Sequence, residues 1–229
     1  MLIFNCTKAA AEFFTVTRKG EKQTCIEAAP HKTIAESIEN PVFPDDVDAK
    51  YTDYYQWQWV VHCLSIKRKK YLLVMDYHSR YCLVLPAGKK GDGIGFLNTF
   101  EQHIRANFHA LAEQYHIDSV EVEACLDEYQ RRIFTCAFHQ RGDRSVQSHL
   151  NDVAWHVERH CYEDYPLESE MDCMGISLYC GQIPRSTKQS KDYFYPNQEF
   201  VAYWRKTFTS LDDVSRDNVI DLSQYRVKS

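Results

Sequence analysis

The sequence predicts a mixed α+β fold, an antiparallel sheet meander covered by amphipathic helices, with a C-terminal embellishment. Three observations carry this expectation. Stretches rich in β-forming side chains at residues 57–66, 71–75 and 81–85 follow one another with short links. Between residues 96 and 115, Leu97, Phe100, Ile104, Phe108, Leu111 and Tyr115 return every three or four positions, the period of a helix lying on a sheet. A second apolar stripe, Val146, Leu150, Val153 and Val157, marks another covering helix.

The elements follow in order. Leu2-Ile3-Phe4 reads as a short first strand, and Thr7 stands where it can cap a helix opening on Lys8-Ala9-Ala10. From Gly20 to about Tyr55 the periodicity weakens. Pro30, Pro41 and Pro44 with Asp45-Asp46 predict an irregular excursion over the surface there. Within the meander, Lys67-Arg68-Lys69-Lys70 reads as a charged turn, and residues 76–80 as a second turn, because Asp76 and Ser79 can bond to nearby backbone. The glycines at residues 86–93 lack the spacing of a nucleotide phosphate loop and form a connection. A helix over 122–131, a strand over 132–138 and a helix over 146–160 come next. Beyond Tyr165-Pro166 an apolar run at 171–180 and a final helix over 200–211 complete the chain. The division is therefore a main α+β domain over 1–165 and a C-terminal extension over 166–229 packed on it.

A chain of 229 residues can bury a sizeable core. Its 27 basic and 32 acidic side chains give a net charge of −5, which neither marks nor excludes a nucleic-acid surface. Trp57, Trp59 and Tyr71 lie near the basic run, but no nucleic-acid-binding motif accompanies them, and such a partner is not expected. The nine cysteines are odd in number and form no CxxC pair, and no secretion signal precedes them. This predicts a cytoplasmic protein whose thiols pack as small apolar groups. The longest apolar runs fall short of a bilayer span, so no membrane partner is expected.

The turn-rich segment Gln140-Arg141-Gly142-Asp143-Arg144-Ser145 leads into the second striped helix, whose edge carries His149, Asp152, His156 and His160. Separations of three and four residues direct such side chains to one side of a helix. They are therefore candidate ligands for a divalent transition metal. A metal-dependent hydrolase would use His149, Asp152 and His156 catalytically, with His160 as a further ligand or nearby base. The same residues serve equally as hydrogen-bonding borders of a buried stripe. Ser145, His149 and Asp152 invite comparison with a hydrolytic triad, although Ser145 is equally a helix cap. Cys6, Cys63 and Cys136 leave thiol chemistry open, since reactivity depends on exposure and a positive neighbour. The preferred reading needs less coincidence: Arg141 and Arg144 pair with a carboxylate or phosphate, Asn151 orients the ligand, and Trp155 supplies contact surface. The chain is thus expected to be a binding or regulatory module for a small polar ligand or protein partner. Enzymatic activity and homo-oligomerisation stay open, because the final helix can pack within one chain or between chains.

The opening Leu2-Ile3-Phe4-Asn5-Cys6-Thr7-Lys8, the middle aromatic and basic strands, and Arg144-Ser145-Val146 through Leu150-Asn151-Asp152 resemble a bacterial domain family of unknown function, over roughly residues 1–160. That family's pattern has Cys-Thr-Lys near the N-terminus and a late Asn-Arg-Ser-Val preceding Met-Asn-Asp. Here Asp143 replaces the first asparagine and Leu150 stands for the methionine. The resemblance implies no activity, ligand or catalytic residue.

Overall fold

A computed structural model describes residues 1–43, 55–163, 167–187 and 192–209. Its centre is a mixed sheet of β1 (Leu2–Cys6), β4 (Ile26–Glu27), β5 (Trp57–Ile66), β6 (Lys69–Asp76), β7 (Cys82–Pro86) and β8 (Cys136–Gln140), in the order β4-β8-β1-β5-β6-β7. The expected antiparallel meander is β5-β6-β7. The other half is parallel: β1 lies between β5 and β8, with Phe4 opposite both Trp59 and Phe138, and β4 adds to β8. A separate hairpin pairs β2 (Thr15–Arg18) with β3 (Glu21–Thr24). The excursion expected from Gly20 to Tyr55 therefore contains β3, β4 and a short helix, α2 (Ile34–Glu39), while Pro44, Asp45 and Asp46 lie outside the described residues.

Local chemistry explains these elements. Lys67 and Arg68, both at positive φ, make the two-residue turn between β5 and β6, the backbone twist that such a hairpin requires. Asp76 holds the second turn by accepting from the backbone N–H groups of His78 and Ser79 while also accepting from the Trp57 indole at 2.8 Å. Thr7 caps α1 (Lys8–Phe13) through the Ala10 N–H, as expected. Asp92 caps α3 (Gly93–Gln114), so the glycine-rich connection serves as a helix entry. The helix expected over 122–131 runs from Ser119 to Arg132 as α4, and the strand expected from residue 132 begins only at Cys136.

Alternation along the strands sends side chains to two faces. One face carries Leu2, Phe4, Trp57, Trp59, Val61, Val74, Leu83 and Phe138, covered by α1, α3, α4 and α7 (Pro196–Phe208). The core on this side is rich in aromatic rings: Phe108 stacks on Trp204 at 4.2 Å between centroids, and Phe4 meets Phe100 edge-on at 5.0 Å. Such pairs add about 0.5–1.5 kcal/mol each beyond area burial. On the opposite face Val60, Leu64, Leu73, Met75 and Val84 pack under α5 (Arg144–Glu163) and α6 (Glu170–Gly181), with Val146, Leu150, Val153 and Val157 buried as their spacing predicted.

The region beyond residue 165 is built into both cores. Helix α7, expected over 200–211, places Phe200, Trp204 and Phe208 against Trp57, while Leu211 lies outside the described residues. Helix α6 blankets the edge strand β7, where the Val84 N–H donates to the Ser177 hydroxyl at 2.8 Å. An edge strand otherwise invites pairing with another chain. The close approach continues at Gly181, where a Cβ would come within 2.6 Å of the Tyr81 ring. No helix among the described residues is long and apolar enough to cross a membrane.

Candidate functional site

The histidine-bordered helix does not assemble the chemistry its spacing suggests. His149 Nε2 meets the Ser186 carbonyl at 3.2 Å, Asp152 is engaged by Arg185 at 3.2 Å, and His156 lies 3.9 Å from the other Asp152 oxygen. Among the described residues no group of three or more His, Cys, Asp or Glu side chains is placed to hold a metal ion. His149, Asp152, His156 and His160 are thus not brought to one cation. Arg185 and the burial of the ring explain the His149 arrangement: desolvation, then the charges of Arg185 and Arg80, push its pKa below the usual histidine value.

Nor is the serine arrangement a triad. The Ser145 hydroxyl donates to Asp143 and accepts from Arg80, not His149, and the Ser145 and Val146 N–H groups both point to Asp143. Asp143 is the helix cap. Burial alone would raise its pKa, but hydrogen bonds from Ser145, Tyr77 and Val146 outweigh this and hold it below the usual carboxylate range. All nine cysteines are unpaired, and burial pushes the Cys6, Cys63 and Cys136 thiols up, away from thiolate chemistry. Trp57 and Trp59 are buried against α7 and offer no stacking surface.

The residues chosen for ligand binding separate into two places. Arg144, Asn151 and Trp155 are exposed on α5. There Asn151 accepts from Gln147 at 2.8 Å, and the Arg159 guanidinium covers the Trp155 ring. Arg141 instead turns inward, leaving the end of β8 to lie beneath α2 with 9% of its surface exposed. A groove of about 500 Å³ between α5 and α6 includes His156, His160, Glu163 and Tyr179, but its Arg159 and Glu163 already pair with each other at 2.7 Å.

Arg141 sits at one end of a cavity of about 180 Å³ on the sheet face opposite the aromatic core. The walls include alternate residues of the parallel strands, Ile3 of β1, Gln58 of β5, and Ala137 and His139 of β8, together with Ser37 of α2 and Glu27 of β4. A chain of hydrogen bonds fixes the orientation of Asn5, Gln58 and Arg141. The Asn5 amide donates to the Trp59 carbonyl and to Gln58 Oε1, both at 3.0 Å, and its oxygen accepts from Arg141 Nε. Arg141 Nη1 donates to the carbonyls of His31 and Thr33 and to the Ser37 hydroxyl, at 2.8–3.1 Å. A capping box formed by Thr33 and Glu36 shapes α2 so that these acceptors face the guanidinium.

Two donors are left over. Among the described residues Arg141 Nη2 makes one long 3.5 Å hydrogen bond, to Gln58 Oε1, and the Gln58 amide nitrogen is buried without a partner. Reversing the Gln58 amide would set its NH₂ against donors from Asn5 and Arg141, so the network itself determines the assignment. His139, 5% exposed, leaves its ring nitrogen Nδ1 buried and unpartnered. Desolvation, chiefly, lowers the pKa of His139, and desolvation likewise lowers that of Arg141. No carboxylate pairs with Arg141 among the described residues. Asn5, Gln58, Ser37 and His139 escaped the sequence reading. Their one signal was a polar residue at an inward strand position, Asn5 between apolar neighbours and Gln58 between two tryptophans.

The model of the family described as a domain of unknown function, DUF6933, matches residues 3–199, and the chain belongs to that family. The match extends beyond the resemblance read over residues 1–160 to include α6 and the start of α7. No curated protein and no solved structure shows a significant match.

Proposed function

We propose that this member of the DUF6933 family is a binding module that captures a small polar ligand in the cavity around Arg141. The observation that carries the reading is a buried guanidinium with no carboxylate partner among the described residues, next to the unpartnered Gln58 amide and an open space. Removing a cation from water costs several kcal/mol unless it is compensated, and carbonyls and amides compensate only in part. Concave sites with a few convergent polar groups are where small molecules bind. The ligand supplies what the fold lacks. We assign Arg144, Asn151 and Trp155 no part in capture, and a metal-dependent hydrolase at His149, Asp152 and His156 draws no support from the geometry. The nine unpaired thiols favour the reducing cytoplasm as the place of action.

A thermal-shift screen of small acids, phosphates, amides and sugars against the wild-type chain and Arg141→Met tests the reading. A binder at 100 times its Kd stabilises by about 2.7 kcal/mol. The expected outcome is at least one compound that raises the wild-type unfolding temperature and leaves the variant unmoved. Equal shifts in both proteins, or none in either, would remove the cavity as a site.

A further inference from the structure

We propose that the ligand of this cavity is a small carboxylate bearing a hydroxyl or amino group close to its carboxyl carbon. The inference rests on the reading of the cavity as a ligand site and specifies what enters it. Arg141 Nη2 and the Gln58 amide nitrogen are neighbours, since Nη2 lies 3.5 Å from the oxygen of that same amide. Both are donors, and one carries positive charge. A carboxylate can accept from the two at once, one oxygen to each, in the side-by-side pattern that arginine favours.

The third unsatisfied group has the opposite need. His139 stands on β8 and Arg141 one residue past its end, and both side chains line the same cavity. Desolvation keeps the buried imidazole neutral, and its Nδ1 is buried without a partner. In the Nε2–H tautomer Nδ1 accepts, and a hydroxyl or amino group beside the carboxylate can supply the hydrogen. Size agrees with this pair of contacts. A cavity of about 150 Å³ holds benzene, so about 180 Å³ suits a molecule of roughly six to eight non-hydrogen atoms. A phosphate monoester dianion would satisfy the donors but offers Nδ1 no hydrogen, and a neutral amide leaves the guanidinium charge unmatched.

Isothermal titration of the wild-type chain with lactate, alanine, acetate, lactamide and inorganic phosphate discriminates these classes. Saturable binding of lactate or alanine is expected, with acetate and lactamide each weaker by about tenfold or more. Gln58→Glu is the decisive variant, because it keeps the side-chain shape and supplies a carboxylate from within. It should fold, resist unfolding at higher temperature than wild type, and bind neither lactate nor alanine. His139→Phe should bring lactate down to the level of acetate. If phosphate or lactamide binds best and binding is still lost in Gln58→Glu, the carboxylate assignment is overturned while the cavity stands as a ligand site. If no probe binds in a manner that Gln58→Glu abolishes, both the assignment and the site fall.

Discussion

Strands β8, β1 and β5 present two unlike faces made from interleaved residues. On one, Phe138, Phe4, Trp57 and Trp59 interlock with helices of eight or more residues, α3, α4 and α7. On the other, Ala137, His139, Ile3, Asn5 and Gln58 lie under the six-residue α2 and the inward-turned Arg141. Both faces contain buried N–H groups without partners, the indoles of Trp59 and Trp204 on the first and the Gln58 amide on the second. The difference is space. The indoles are wedged among stacked rings, so their unmet capacity is a tolerated loss within a close-packed core. The amide borders a cavity, where the same loss can be recovered by something that enters.

The comparison can be broken first on its apolar side. Trp204→Ala removes a fully buried ring that stacks on Phe108 and touches Trp57, Tyr129 and Phe208. Large aromatic truncations of this kind cost about 3–5 kcal/mol, and urea unfolding should show a loss of that size. A loss below about 1 kcal/mol would mean that α7 is not integral to the core.

A smaller effect is expected on the polar side. Asn5→Leu keeps the branched outline of the side chain but deprives Arg141 Nε, Gln58 and the Trp59 carbonyl of their shared partner, a burial penalty of about 1–3 kcal/mol. The near-ultraviolet spectrum of the aromatic face should be unchanged while stability falls. An unchanged unfolding midpoint would show that the network around Arg141 is not under strain when one member is removed.

The last effect is spread over several groups. Burial depresses the folded pKa values of His62, His103, His139, His149 and His156 below 6.5. The unfolded chain then binds protons that the folded chain refuses, so stability is complete above about pH 6.5 and declines as the pH falls towards the depressed values. Urea midpoints measured between pH 7.5 and 5 should fall monotonically. A midpoint that rises on acidification would contradict the burial of these rings as neutral groups.

Much of this architecture was legible in the residues, and the boundary of legibility has a physical cause. The meander and the helices at 96–115 and 146–160 are governed by local periodicity and tight turns, so β5, β6, β7, α3 and α5 could be read directly. The parallel half could not, because nothing local to Leu2–Cys6 states that it pairs with Trp57–Ile66 and with Cys136–Gln140. The same holds for the site. Arg141 was singled out for its charge and its turn, but Asn5, Ser37, Gln58 and His139 reach it from separate segments through tertiary packing alone. The three helical histidines misled because spacing on one helix sets direction but not what faces it. Here Arg185 and the Ser186 carbonyl stand where a metal reading needed open space.

The position of β1 between β5 and β8 also has a temporal meaning. Asn5 and Arg141, joined by a hydrogen bond, lie 136 positions apart in the chain. As the polypeptide is synthesised, the first strand can acquire one neighbour once β5 has been made, yet its other edge stays open until β8 follows. Contacts so distant along the chain slow folding, and an open strand edge is a template for foreign pairing. The earliest piece of the sheet is thus among the last to be sealed, and Arg141, which lines the cavity, follows directly on the strand that seals it.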